Sequence, residues 1–126
     1  MRPKKPILLY CADRELLSTT AFALRLQPYE VTAIDDSRSA AAVMMESDIV
    51  CGVLIHARQG DLAGRLIHRL LEADLHVPVL LVDRAGDLAP VRYADMVLYG
   101  CNTTMAHILG ALNVLCARKR GSRSFA

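Results

Sequence analysis

The sequence has no tryptophan, and aromatic residues make up 5% of its 126 positions. It therefore offers no aromatic platform of the kind on which single-stranded nucleic acid stacks. Its formal net charge is +2, too small to argue for a polyelectrolyte or membrane-surface partner over the whole chain. No apolar run approaches the roughly 20 residues that span a bilayer, so no membrane-spanning segment is expected. The four cysteines, Cys11, Cys51, Cys101 and Cys116, stand far apart and make no C-x-x-C pair. With no signal-peptide pattern at the start, reduced thiols in a cytoplasmic protein are the expectation. Neither G-x-G-x-x-G nor G-x-x-x-x-G-K-[ST] occurs, so Gly60 and Gly86 read as turns rather than phosphate cradles. No nucleophile–base pair, oxyanion motif or cofactor fingerprint supports an enzyme, and no cofactor is expected. Internal repeats and low-complexity segments are absent.

What the chain does have is apolar residues, 53% of the total, beside an ordinary 22% of charged ones. That balance belongs to a globular domain, and the length suffices for one core without disulfides or metals. Patterning divides the chain. Ile7-Leu8-Leu9-Tyr10-Cys11 is a short apolar run, a buried strand. Asp13 opens a helix over residues 15–27, with Leu16, Leu17, Thr20, Ala21 and Leu24 at helical spacing, ended by Pro28. Residues 29–34 alternate and are β-branched, a second strand. Asp35, Asp36 and Ser37 supply caps for a helix over 39–46. Residues 49–56 form a third strand, ending in His56, and residues 62–73 an amphipathic helix.

A fourth strand spans residues 77–82, where Pro78 is tolerable at the start because a first strand position can do without its N–H. Residues 84–93 have little periodicity, residues 95–99 form a fifth strand, and Thr103 or Thr104 caps a last helix. On that helix Met105, Ile108, Leu109, Leu112, Leu115 and Cys116 share a face. Arg118, Lys119, Arg120 and Arg123 make a basic tail that suits a helix C-terminus better than a nucleic-acid site. Strands alternating with helices call for a doubly wound α/β domain, a parallel sheet covered on both faces. In such a sheet chemistry gathers at the carboxyl ends of the strands, and His56 stands there.

Three anchors go further. Val77-Pro78-Val79-Leu80-Leu81-Val82 resembles the fourth strand of response-regulator receiver domains, the phosphorylated modules of two-component signalling. Tyr93-Ala94-Asp95-Met96-Val97-Leu98 resembles the segment leading into their fifth strand. Gly64 stands eight positions after His56, as that family places a glycine eight after its phosphoacceptor aspartate. The resemblance covers residues 5–119 as one domain, with residues 120–126 a basic tail or the start of a linker. It implies a flavodoxin-like five-stranded sheet in the order 2-1-3-4-5.

A receiver uses an acidic pair to hold Mg²⁺, an aspartate nucleophile, a hydroxyl and a lysine. Carried over by position, the acidic pair falls on Cys11 and Ala12, the acceptor on His56, the hydroxyl on Asp83 and the lysine on Gly100. The proline that follows the lysine falls on Cys101, and the switch aromatic on Val97. Only Asp13, just beyond the pair, keeps a carboxylate near the metal position. Asp61 lies too far past the strand end to substitute as acceptor. The interval from Asp83 to Gly100 is shorter than usual, which shortens the family's fourth helix.

The resemblance thus implies a pseudo-receiver: a non-phosphorylatable module working by protein–protein contact, with a homodimer as one such contact and with no nucleic-acid or membrane partner. Its degenerate site rim is Cys11, Asp13, His56, Asp83 and Gly100. His56 is expected to hydrogen-bond Asp83 rather than carry phosphate. The alternative is a small-ligand or metal sensor whose pocket is lined by Cys11, His56, Asp83 and Cys101, ligand types that suit Zn²⁺.

Overall fold

The computed structural model describes residues 4–46, 48–56, 63–73, 77–84, 95–100 and 103–117. Its strands are β1 (Lys5–Cys11), β2 (Tyr29–Ile34), β3 (Cys51–His56), β4 (Val79–Asp83) and β5 (Met96–Tyr99); its helices are α1 (Arg14–Arg25), α2 (Ser37–Glu46), α3 (Ala63–Glu72) and α4 (Met105–Cys116). All four strand pairings are parallel and the sheet runs β2-β1-β3-β4-β5. This is the expected flavodoxin-like order.

The three central strands explain the composition. Every residue of β3 and β4, and residues 7–11 of β1, are buried. Strands buried on both faces have no polar positions to alternate with, so they appear in the sequence as continuous apolar runs. The pleat still sends successive side chains to opposite faces. Ile7, Leu9, Cys11, Val53, Ile55, Leu80 and Val82 pack with α1 and α4 in one core. Leu8, Tyr10, Leu54, Val79 and Leu81 pack with α2 and α3 in the other.

Helix ends are fixed by side chains. Asp13 Oδ1 accepts from the backbone N–H groups of Glu15 and Leu16, both at 3.1 Å, and so starts α1. Asp36 Oδ2 accepts from the N–H and the hydroxyl of Ser39 at the head of α2. Of the two threonines proposed for α4, Thr104 is the cap. Its hydroxyl accepts from the His107 N–H at 3.3 Å, and its own N–H donates to His107 Nδ1 at 3.2 Å. That reciprocal pair is a capping box in which histidine takes the usual Glu or Gln position.

Strand starts differ modestly from the sequence expectation. β4 begins at Val79, not Val77, because Pro78 brings no N–H to the ladder, although its carbonyl still accepts from Gly52 N–H at 2.9 Å. Asp95, expected within β5, instead precedes it. Its carboxylate accepts from Val79 N–H at 2.8 Å, and its own N–H donates to the Val79 carbonyl at 2.9 Å. At the second position of β3, Gly52 leaves room for the tip of Met44 from α2; a Cβ there would lie 2.9 Å from Met44 Cε.

Most of residues 84–93, with the shortened interval, and the tail from residue 118 onward lie outside the described residues. Among the described residues no helix is long and apolar enough to cross a membrane.

Core and surface should separate cleanly in stability. Leu54 is fully buried, and Leu54→Ala is expected to cost about 2–5 kcal/mol in urea unfolding. Leu26 is 71% exposed, so Leu26→Ala should stay within about 0.5 kcal/mol of the parent.

Candidate functional site

The carboxyl ends of β1, β3, β4 and β5 bring the expected site residues to one end of the sheet but not to one face. His56 pairs in register with Asp83, and Asp83 with Tyr99. Residues in register on parallel strands share a face. His56 continues the row of Leu54, and Asp83 that of Leu81, so both lie toward α2 and α3. Cys11 pairs with Ile55 and packs in the opposite core, against α1 and α4. Of the expected pocket residues, Cys11 therefore lies on the opposite face of the sheet from His56 and Asp83. Cys101 lies outside the described residues. Among the described residues no three His, Cys, Asp or Glu side chains are placed to hold a metal ion.

His56 and Asp83 are closed off from solvent. They are 3% and 0% exposed. Their backbones are also committed: Arg84 N–H donates to the His56 carbonyl, and Gly100 N–H to the Asp83 carbonyl, each at 2.9 Å. A buried polar side chain needs a hydrogen-bonding partner to be tolerated, and His56 and Asp83 stand side by side on adjacent strands.

The other two rim positions have structural duties. Asp13 caps α1. Gly100 adopts φ +100°, a conformation that a side chain disfavours. The turn it makes is held by the Thr103 N–H and hydroxyl, which donate to the Gly100 carbonyl at 3.2 and 2.9 Å.

Two further residues stand at these strand ends, Tyr99 and Arg84. Tyr99 extends the His56–Asp83 row onto the edge strand and is 62% exposed; counting two positions on from Val97 would have found it. Arg84 follows β4 and donates from Nη1 to the Thr103 carbonyl at 3.1 Å. It contributes to a cavity of about 170 Å³ on the α1–α4 side, lined with it by Leu16, Thr19, Thr20, Ile55, Thr103, Met105 and Ile108. Cys11, His56 and Asp83 are not among the described residues that line it. Its signal in the sequence is faint, since hydroxyls at 19, 20 and 103 have ordinary helix and cap uses.

Putting a receiver's lysine back at Gly100 should damage the fold rather than rebuild the site. Gly100→Lys forces a side chain into left-handed backbone and is expected to cost about 1–2 kcal/mol, read as a lower urea midpoint at unchanged slope.

No protein-family model matches the chain, and no curated protein matches it. Solved structures do. A response regulator receiver domain protein from Clostridium thermocellum superposes with TM-score 0.77 at 19% identity, over 90% of this chain and 95% of that one. A CheY-like receiver domain protein from Methanospirillum hungatei JF-1 gives 0.74 at 15% identity, over 90% and 94%. The receiver domain of a Francisella response regulator gives 0.75 at 12% identity, over 91% and 98%. The similarity covers nearly the whole chain and the whole of each domain, with the strand order the sheet displays. The fold of this chain is the receiver fold of two-component response regulators.

Proposed function

We propose that the chain is a pseudo-receiver: a signalling module that takes up no phosphoryl group, catalyses no reaction of its own, and acts by protein–protein contact in a cytoplasmic two-component type of pathway. The observation that carries this reading is the buried His56–Asp83 neighbourhood at the strand ends where a receiver keeps its acceptor and hydroxyl. Phosphoryl transfer depends on positioned cations to offset charge on the transferring oxygens. By position this chain offers Cys11 and Ala12 for the metal-binding pair, and Gly100 for the lysine. Asp13 is occupied as a helix cap.

Contact with a protein partner is supported by large apolar side chains left in solvent: Phe22 and Leu26 at the end of α1, Tyr99 on β5 and Val114 on α4. A second copy of the chain is one such partner. The alternative of a metal or ligand sensor built on Cys11, His56, Asp83 and Cys101 is weakened by the separation of Cys11 onto the other face.

Incubation with acetyl phosphate and Mg²⁺, followed by intact mass measurement, tests the proposal. The expected spectrum shows only the unmodified chain, while a receiver with a complete site, treated alongside, gains one phosphoryl group. Stoichiometric phosphorylation of this chain would refute it.

A further inference from the structure

The cavity of about 170 Å³ among α1, the ends of β3 and β4, and the start of α4 has no part in the pseudo-receiver reading. Four apolar side chains line it: Leu16 from α1, Ile55 from β3, and Met105 and Ile108 from α4. Its polar lining is the Arg84 guanidinium and the hydroxyls of Thr19, Thr20 and Thr103. Two of those hydroxyls are committed. Thr19 Oγ1 donates back to the Glu15 and Leu16 carbonyls of its own helix, at 3.2 and 3.1 Å, a common habit of helical threonine. Thr103 Oγ1 donates to the Gly100 carbonyl at 2.9 Å. Thr20 differs. It is 5% exposed, yet its hydroxyl has no hydrogen-bond partner among the described residues. A buried hydroxyl left without a bond costs free energy, and an acceptor placed in the cavity would supply the bond.

Arg84 brings the charge. Its backbone N–H donates to the His56 carbonyl at 2.9 Å and its Nη1 to the Thr103 carbonyl at 3.1 Å, so this half-buried residue is pinned at both ends. A guanidinium holds its N–H donors in a planar fork. One is spent on Thr103, and no carboxylate among the described residues pairs with the others. No Asp or Glu is among the described lining residues. Met105 is the first residue of α4, which brings the positive end of that helix dipole to the same place. The cavity therefore sets a fixed positive charge beside an apolar lining.

We propose that this cavity is a binding site for a small monocarboxylate with an apolar body. The carboxylate pairs with the uncommitted N–H groups of Arg84, since a planar guanidinium suits a carboxylate, and accepts a hydrogen bond from the Thr20 hydroxyl. The apolar body packs against Leu16, Ile55, Met105 and Ile108. Size narrows the class. An apolar cavity of roughly 150 Å³ holds a molecule the size of benzene, so about 170 Å³ suits benzoate or a short branched acid. Larger ligands such as nucleotides need pockets of roughly 300–1,000 Å³. Inorganic phosphate fits poorly, because Arg84 is the only formal charge among the described lining residues and the apolar lining would find no partner.

The test titrates benzoate and isovalerate, each with its matching neutral amide, into the isotope-labelled full chain at constant ionic strength and follows the backbone amide signals by NMR. The expected result is saturable shifts centred on Leu16, Thr20, Arg84 and Met105, with at least one acid binding at a Kd below about 1 mM. Its amide, alike in shape but uncharged, should bind at least about tenfold more weakly. Arg84→Gln should weaken the acid by at least about tenfold, and Thr20→Val, which keeps the shape and removes the hydroxyl, by about threefold or more. No saturable shift from either acid up to about 20 mM, a smaller gap between acid and amide, or inorganic phosphate binding at these residues as tightly as the acids would each overturn the proposal. So would undiminished affinity in a folded Arg84→Gln chain. The comparison of acid with amide on the unaltered chain decides the matter even if a variant folds poorly. Phosphorylation does not enter the measurement, so this proposal and the pseudo-receiver reading stand or fall separately.

Discussion

The structure depends on three central strands that are buried on both faces. Because β1, β3 and β4 have no solvent side, every residue in them must enter one of two cores, and the pleat assigns each to its core by parity. The α1–α4 core takes Ile7, Leu9, Cys11, Val53, Ile55, Leu80 and Val82. The α2–α3 core takes Leu8, Tyr10, Leu54, Val79 and Leu81. The same rule governs the strand ends. It sets His56 beside Asp83, sends Cys11 to the far face, and aligns Tyr99 with the buried pair. A one-residue slip in register would exchange these partners and place each strand's whole apolar set in the wrong core.

The stability of this receiver fold does not depend on whatever chemistry its strand ends carry. The sheet is stabilised by apolar burial that lies below the strand ends, and the helices by caps such as Asp13 and Thr104. None of those contributions needs an acidic pair, an acceptor aspartate or a lysine. Gly100 illustrates the independence. Its left-handed backbone and the hydrogen bonds from Thr103 make a tight turn where a lysine would be strained. At the same end of the sheet Asp13 caps α1.

Much of the fold was legible because its signals are local and strong. Continuous runs at residues 7–11 and 79–82 mark strands buried on both faces, and the spacing of Leu17, Ala21 and Leu24 marks the inner face of α1. The resemblance added the strand order, which no local pattern contains. Strand starts were less legible, since Pro78 and Asp95 act through bonds to distant chain segments. The candidate site was legible by position only. Knowing that Cys11, His56 and Asp83 end their strands did not say which face each one meets; that needs the register, a relation between strands. Arg84 was hidden for the same reason, because the Thr103 carbonyl it bonds is remote in sequence.

The claim at the centre is that the strand end carrying His56 is closed. Histidine modification by diethyl pyrocarbonate under native conditions, read out by peptide mass mapping, tests it directly. His68 and His107 are exposed and His56 is 3% exposed. The first two should be modified while His56 stays protected until the chain is unfolded. Modification of His56 in the native chain at a rate comparable to His68 would contradict the closed site.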